Sequence, residues 1–356
     1  MPSKKISEID SNFISKTIGD REIEFHDPTI GAFELSGLNW FDKEREFCRL
    51  PQDMASKIND GVTILAWHTS GVQVRFKTDS KVIALSAELP GPGEMNHMPD
   101  TGSSGFDLYR GTGVEKKFIK NFGPAGNAKT IEGITVESES RQMHEYTIYF
   151  PLYNGVKKIL VGIEPGTKIE PPAPFTIEKP IVFYGSSITQ GGCASRPGNA
   201  YASFITRWCD ANMLNFGFSG SGRGETNIAE LLATIDASVF VLDYDHNAPD
   251  VEHLTKTHEP FFKILRNAHP DMPVVMVSRP DGSETPDGVA RRGIVRRTYE
   301  NARAGGDSNV YFVDGVTLFG KTDRDACTVD GCHPNDLGFM RMAEGIYPAV
   351  KQAMGI

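Results

Sequence analysis

At 356 residues the chain is too long for one ordinary domain and about right for two. Its 46 acidic against 37 basic side chains leave a formal charge of −9 with no basic run, which argues against nucleic acid as a partner. No apolar stretch approaches the roughly 18 residues of a membrane-spanning helix, and residues 1–10 lack the apolar core of a secretory signal, so a cytoplasmic location is expected, although an exported chain trimmed of its signal would read the same. The cysteines, Cys48, Cys193, Cys209, Cys327 and Cys332, are odd in number and scattered, which suits a reducing compartment better than a disulfide framework.

Residues 1–28 are polar and irregular and read as a surface arm. Residues 29–164 read as strands. Val72, Val74 and Phe76 alternate with Gln73, Arg75 and Lys77, which predicts one buried and one wet face. Tyr146, Ile148 and Phe150 repeat the pattern, as do Ile159, Val161 and Ile163. Glycine- and proline-rich turns at 90–93, 100–105 and 111–113 separate such runs, so an all-β, jelly-roll-like sandwich is expected, and the stretch 90–105 is a candidate to reach over a neighbouring domain. Residues 165–179 form a proline-rich, stiff linker.

From 180 to 356 the pattern changes to strand, helix, strand. Apolar strands are predicted at 181–184, 214–218, 239–242, 274–277 and 310–313. Between them lie helical stripes, one of Ile228, Leu231, Leu232 and Ile235 and another beginning with Phe261, Ile264 and Leu265. Continuous apolar strands alternating with amphipathic helices imply an α/β domain whose five-stranded parallel sheet is covered on both faces.

The first of these strands ends abruptly in Gly185-Ser186-Ser187 before a helix-forming segment, which places the turn at the carboxyl edge of the sheet, where open α/β sheets bind ligands. A serine in such a turn ordinarily caps the next helix; an exposed one can act as a nucleophile. Near the C-terminus, Asp330 stands three residues before His333 in a turn tightened by Gly331 and Pro334. That spacing lets the carboxylate accept from Nδ1–H and leaves Nε2 free to take a proton from a hydroxyl. Ser187, His333 and Asp330 are therefore the candidate nucleophile, base and orienting acid. The backbone N–H groups of Ser187 and of Gly220, in a glycine-rich stretch after the second strand, and the Asn247 amide, after the third, are candidate oxyanion donors.

At these residues the chain resembles the SGNH (GDSL-type) hydrolases. Gly185-Ser186-Ser187-Ile188-Thr189, Gly220, Asn247 and the pair Asp330 and His333 match the family's four blocks in order. The resemblance runs from about 180 to the C-terminus and implies a flavodoxin-like three-layer sandwich with a serine nucleophile. Gly105-Phe106-Asp107-Leu108-Tyr109 resembles the Gly-x-Asp-Leu-Tyr motif of a β-domain fused ahead of some bacterial SGNH esterases. Two departures stand out: Ser186 replaces the usual aspartate before the nucleophile, and Asp245 and Ala248 replace the first and last members of the third block. The resemblance implies an esterase acting on a small acylated substrate, acetyl on a carbohydrate first, with no cofactor and no metal. A homo-oligomer is compatible with it, and lipid, aryl or thioester substrates are alternatives.

Other readings are weighed against this one. Asp243, Asp245, His246, His253 and His258 match no metal-ligand spacing. Gly315 to Thr322 fits the P-loop expression, but the segment after it reads as a loop and not as the helix that a phosphate site needs. A non-catalytic glycan-binding protein with a vestigial site is a third reading. Arg196, Asp245 and His246 are candidate substrate contacts, and a Cys327–Cys332 bridge is conceivable but not expected in a reducing cell.

Overall fold

In the computed structural model the described residues are 14–18, 20–93, 95–281 and 284–356. The N-terminal part contains β1 (Ile14–Ile18), β2 (Arg21–His26), β3 (Glu34–Ser36), β4 (Gln73–Thr78), β5 (Val82–Glu88), β6 (Phe106–Arg110), β7 (Lys117–Phe122), β8 (Thr130–Val136), β9 (His144–Tyr149), β10 (Lys158–Ile163) and β11 (Ile169–Glu170). They pair antiparallel into two sheets, β1-β2-β10-β5-β8 and β11-β4-β9-β6-β7, with β3 on the side of β4. Between the sheets lie Val74, Phe76, Leu108 and Ile148 from one and Ile83, Leu85, Ile131 and Val161 from the other, the two-layer core that period-2 alternation requires. Short helices interrupt the strands: α1 (Phe41–Glu44), α2 (Gln52–Ala55) and α3 (Asp60–Leu65) before β4, and α4 (Asp100–Ser103) before β6.

The C-terminal part has a parallel sheet of β12 (Ile177–Gly185), β13 (Ala211–Gly217), β14 (Val239–Asp243), β15 (Val274–Val277) and β16 (Val310–Val313), in the order β13-β12-β14-β15-β16. Its helices are α5 (Ser187–Gln190), α6 (Tyr201–Cys209), α7 (Thr226–Leu232), α8 (Val251–Ala268), α9 (Pro286–Ala304) and α10 (Asp336–Met354). Alternate strand residues face opposite layers: Val182, Tyr184, Phe240 and Leu242 meet α7, α8 and α9, while Ile181, Phe183, Val239 and Val241 meet α6 and α10. The strand order reverses at β12, so its carboxyl end and that of β14 form the switch point at which such sheets bind ligands. No helix among the described residues is long and apolar enough to cross a membrane.

Three details differ from the sequence reading, and the P-loop expectation is met. The expected arm carries two strands from residue 14 onward. Only Ile23 and Phe25 point inward from β2, too few apolar positions to announce a strand. The supposed wet face of β4 is largely buried: Gln73 and Arg75 are sealed, and the linker folds over Arg75. That linker is a packed strap, with β11 pairing β4, the Ala173 carbonyl accepting from Arg75 at 2.7 Å, and the Phe175 ring 3.7 Å from the Arg75 guanidinium. Beyond the P-loop match, one 3-10 turn (Asp325–Cys327) follows and the next helix begins only at Asp336, so no helix N-terminus faces that loop.

The two parts also share cores. Cys48, Leu50, Ala55, Val62 and Ala66, from the segment between β3 and β4, lie in the layer with Tyr184 and Phe216, and Met98, Leu152 and Tyr153 lie in the layer with Ile188 and Tyr201. Arg75 donates to Glu34 at 2.9 Å and to Glu145 at 3.0 Å. Removing one member of such a buried pair leaves the other charge uncompensated. Arg75→Ala is therefore expected to lower the unfolding free energy by about 3–5 kcal/mol, measured by urea denaturation, whereas loss of the exposed Lys57–Asp53 pair should leave the unfolding midpoint nearly unchanged.

Candidate active site

β12 delivers the chain into the turn at Gly185, where a side chain would not fit: a Cβ would lie 1.9 Å from Thr189 Oγ1 and 2.3 Å from the Asp243 carbonyl. The next residue supplies the helix cap. Ser186 Oγ accepts from the Ile188 N–H at 3.2 Å, so the capping role falls to Ser186 and the Ser187 hydroxyl is free of it. This also accounts for serine where a carboxylate is usual, since either side chain accepts that bond.

Ser187 Oγ lies 2.9 Å from His333 Nε2, and His333 Nδ1 lies 2.7 Å from Asp330 Oδ2. Asp330 Oδ1 accepts from the backbone N–H of His333 at 2.7 Å and of Cys332 at 2.9 Å, which fixes the carboxylate against the ring. Burial works against ionisation here, but the bonds from the His333 ring and from the two backbone groups outweigh it and hold the Asp330 carboxyl down at about 2. The carboxylate favours the tautomer with the proton on Nδ1, leaving the Nε2 lone pair toward the hydroxyl.

The candidate oxyanion donors stand on loops tied to the same strand end. The Phe218 N–H donates to the Gly185 carbonyl at 3.0 Å, and Asn247 Nδ2 donates one hydrogen to the Phe218 carbonyl at 2.8 Å, leaving its second N–H. Gly220 adopts φ +63°, a left-handed conformation that glycine takes without strain. Ser219 N–H bonds Gln190 Oε1 at 3.0 Å, joining this loop to the end of α5.

The candidate substrate contacts have other neighbours. Arg196 donates to Asp107 at 3.0 Å and Tyr109 at 2.6 Å and lies 3.9 Å from the Phe118 ring, so the Gly-x-Asp-Leu-Tyr motif engages it. Asp245 is buried, accepts from the Arg279 N–H at 3.0 Å and is pushed up to about 6 by burial. His246 is pushed down to about 3 by burial and so is neutral, its Nδ1 3.8 Å from Cys332 Sγ. Asp245 Oδ1 and His246 Nε2 find no partner among the described residues. His253 Nε2 bonds the Arg223 carbonyl and His258 Nδ1 the Thr298 hydroxyl, each at 2.8 Å, so these histidines do not converge on a common point. All five cysteines are free, Cys327 and Cys332 included.

Several supporting residues escaped the sequence reading. Asp243, at the end of β14, accepts from Tyr201 OH at 2.9 Å and Thr189 Oγ1 at 3.2 Å, and its carbonyl accepts from the Ser186 N–H, clamping the turn from below. From the N-terminal part, Tyr153 OH donates to the Ser187 carbonyl at 3.1 Å, Ser70 Oγ to the Gln190 carbonyl at 2.7 Å, and the Leu152 carbonyl accepts from the Gln190 amide at 3.1 Å. The 90–105 stretch does reach the catalytic edge, since the His97 ring stands 5.7 Å from that of His333. Sequence offered only turn composition as a signal for these contacts.

Residues 178–351 match the GDSL-like lipase/acylhydrolase family, and residues 23–169 match the GxDLY domain, the N-terminus of SGNH-hydrolase-type esterases. A crystal structure described as a GDSL-like lipase from Bacteroides ovatus ATCC 8483 is 30% identical, with a TM-score of 0.84 over 94% of this chain and 98% of that one. A salicylyl-acyltransferase from a tetracycline biosynthetic pathway is 20% identical, with a TM-score of 0.76 over 94% and 98%. A family two carbohydrate esterase from Clostridium thermocellum, in complex with cellohexaose, is 17% identical with a TM-score of 0.60 over 80% and 93%, a likeness of fold. No curated protein matches.

The Asp243 carboxyl is raised from 3.8 to about 8, by burial first and by Asp245 second, against the bonds from Tyr201 and Thr189. A carboxyl that holds its proton more tightly when folded lends stability that is complete below its unfolded pKa and is lost as pH rises toward the folded value. Wild-type protein is thus expected to lose a few kcal/mol between about pH 4 and 8 from this group. Asp243→Asn should flatten that slope, raising the melting temperature relative to wild type at pH 8 more than at pH 4.5.

Proposed function

Because the chain belongs to the GDSL-like lipase/acylhydrolase (SGNH hydrolase) family and carries the GxDLY domain of its esterases ahead of the hydrolase domain, we propose that it is a serine esterase whose reaction runs through Ser187, His333 and Asp330. Ser187 Oγ attacks the ester carbonyl as its proton passes to His333 Nε2. Asp330 holds the imidazolium that forms, and the same proton is returned to the leaving alcohol. Water, deprotonated by His333, then attacks the acyl-enzyme and releases the acid. The N–H groups of Ser187 and Gly220 and the second N–H of Asn247 receive the oxyanion, and all of these groups act without a metal.

The observation that carries this reading is the unbroken pair of bonds, 2.9 Å from hydroxyl to imidazole and 2.7 Å from imidazole to carboxylate. It also disfavours a vestigial, purely glycan-binding protein. The substrate we propose is a small acyl ester, acetyl first, of a sugar or similar polyol. Its support is the GxDLY resemblance together with a fold shared with carbohydrate esterases. Asp245 Oδ1 and His246 Nε2, buried without partners among the described residues, are the polar groups left to meet the alcohol part.

A fluorophosphonate probe is expected to label the wild-type chain and not Ser187→Ala, and hydrolysis of p-nitrophenyl acetate should fall at least about 10³-fold in that variant. Asn247→Ala should lower kcat by about 10²-fold or more with little change in KM. A panel of acetylated sugars and p-nitrophenyl esters of increasing chain length tests the acyl preference, with product analysis in the presence of alcohols separating transfer to water from transfer to an acceptor.

The rate should rise through an acidic limb as the base of the reaction loses its proton. Asp330, held at about 2, is already ionised throughout that limb and contributes none of its own to the profile. A rate with no acidic limb would remove His333 from the role of base.

A further inference from the structure

One group of side chains at the catalytic edge has chemistry that ester hydrolysis does not require. His97 from the N-terminal part, Cys193 just beyond α5 and His333 each bring one donor atom to within 4.8 Å of the others, the one such His/Cys/carboxylate trio found among the described residues. Two imidazoles and a thiol are the donor set preferred by zinc-class cations and avoided by magnesium or calcium.

The separations suit this use. Zn–N bonds of about 2.0 Å and Zn–S bonds of about 2.3 Å place two nitrogens and one sulfur roughly 3.3–3.5 Å apart in a tetrahedral site, so donor atoms that lie within 4.8 Å of one another need only a modest closure. His97 is the exposed member, on a turn, and its side-chain torsions can supply that closure. Cys193 forms a fixed floor: it is buried and held at φ +76°, a left-handed backbone uncommon for a residue other than glycine.

The surroundings fit as well. A metal-binding histidine characteristically gives its other ring N–H to a carboxylate, which orients the ring and makes it a better donor. His333 is already set in this way, its Nδ1 2.7 Å from Asp330 Oδ2, so the arrangement that serves a general base also serves a ligand. The carboxylate further supplies negative charge beside the site.

We propose that His97, Cys193 and His333 form an inhibitory binding site for a zinc-class divalent cation, bridging the two parts of the chain over the catalytic serine. The inhibition rests on the triad reading; the binding does not. On binding, the Cys193 thiol loses its proton to solvent and the cation takes the lone pair of His333 Nε2. Ser187 Oγ, 2.9 Å from that nitrogen, then has no base to receive its proton. A fourth position is left to solvent or to the Ser187 hydroxyl.

The test uses the full chain, freed of metal with EDTA and dialysed. Cobalt(II) should produce a thiolate-to-metal charge-transfer band that saturates near one equivalent, is absent in Cys193→Ser and persists in Cys332→Ser. Zinc should inhibit p-nitrophenyl acetate hydrolysis reversibly, EDTA should restore the rate, and magnesium should have no effect. Cys193→Ser and His97→Ala should keep the metal-free rate and need at least about tenfold more zinc for half-inhibition. Absence of the band in the wild type, its survival in Cys193→Ser, or equal zinc sensitivity of all variants overturns the proposal. A wild-type chain that gives the band but hydrolyses no ester sinks the esterase reading and leaves the metal site standing.

Discussion

The chemistry of this protein depends on one buried polar turn. Between Gly185 and Gly191 the backbone leaves a strand, makes a single turn of helix and leaves again, away from water, where unpaired amide groups are costly. Its groups are met from several directions. Ser186 caps the helix and its N–H reaches the Asp243 carbonyl, while Tyr153 and Ser70 satisfy the carbonyls of Ser187 and Gln190. With these groups met, the Ser187 hydroxyl is left for the imidazole. Positioning of this kind, more than any exceptional acidity of the serine, is what a nucleophile of ordinary pKa needs from its surroundings.

The same turn explains why two domains act as one unit. Two of its partners, Tyr153 and Ser70, belong to the β-sandwich side, as does Arg49, which is fully buried and donates to the carbonyls of Asn215 at 2.7 Å and Gly217 at 2.8 Å at the end of β13. Burial lowers the Arg49 guanidinium to about 9, and those carbonyls with that of Leu65 stand in for its lost hydration. The Gly-x-Asp-Leu-Tyr motif has the same purpose: Asp107, sealed from solvent, holds both the Arg196 side chain and the Gly198 N–H, and Tyr109 OH accepts from Arg196 as well. The motif therefore reads as an interface device, with Asp107 and Tyr109 of β6 turned to the hydrolase domain and Phe106 and Leu108 turned to the sandwich core.

A shared interface has a chemical consequence. Because α4 and the turn before it are anchored by Met98 in the hydrolase core and by Thr101 Oγ1 on the Ser195 carbonyl at 2.6 Å, His97 is carried to the rim beside His333. The β-domain thus forms one wall beside Ser187 and His333 while contributing no member of the proposed triad. Cys193 and His97 bring thiol and imidazole to a place where the hydrolytic reading asks only for a base, and the zinc-class site proposed above follows from that surplus.

Sequence by itself determined the parallel sheet and the Ser187, His333 and Asp330 candidates, because apolar periodicity, a glycine at a strand end and an Asp-x-x-His spacing are local signals. It misread residues 14–18 and 21–26, where two inward-facing apolar side chains in β2 were too few to reveal a strand, while residues 1–13 of the expected arm lie outside the described residues. It also misread the polar face of β4, since a strap from residues 165–179 covers it and nothing local announces a cover. The division of labour between Ser186 and Ser187, the clamp from Asp243 and the arrival of His97 were decided only in three dimensions. Each depends on groups brought together across distant stretches of chain, and a hydrogen bond between such groups leaves no pattern in the order of residues.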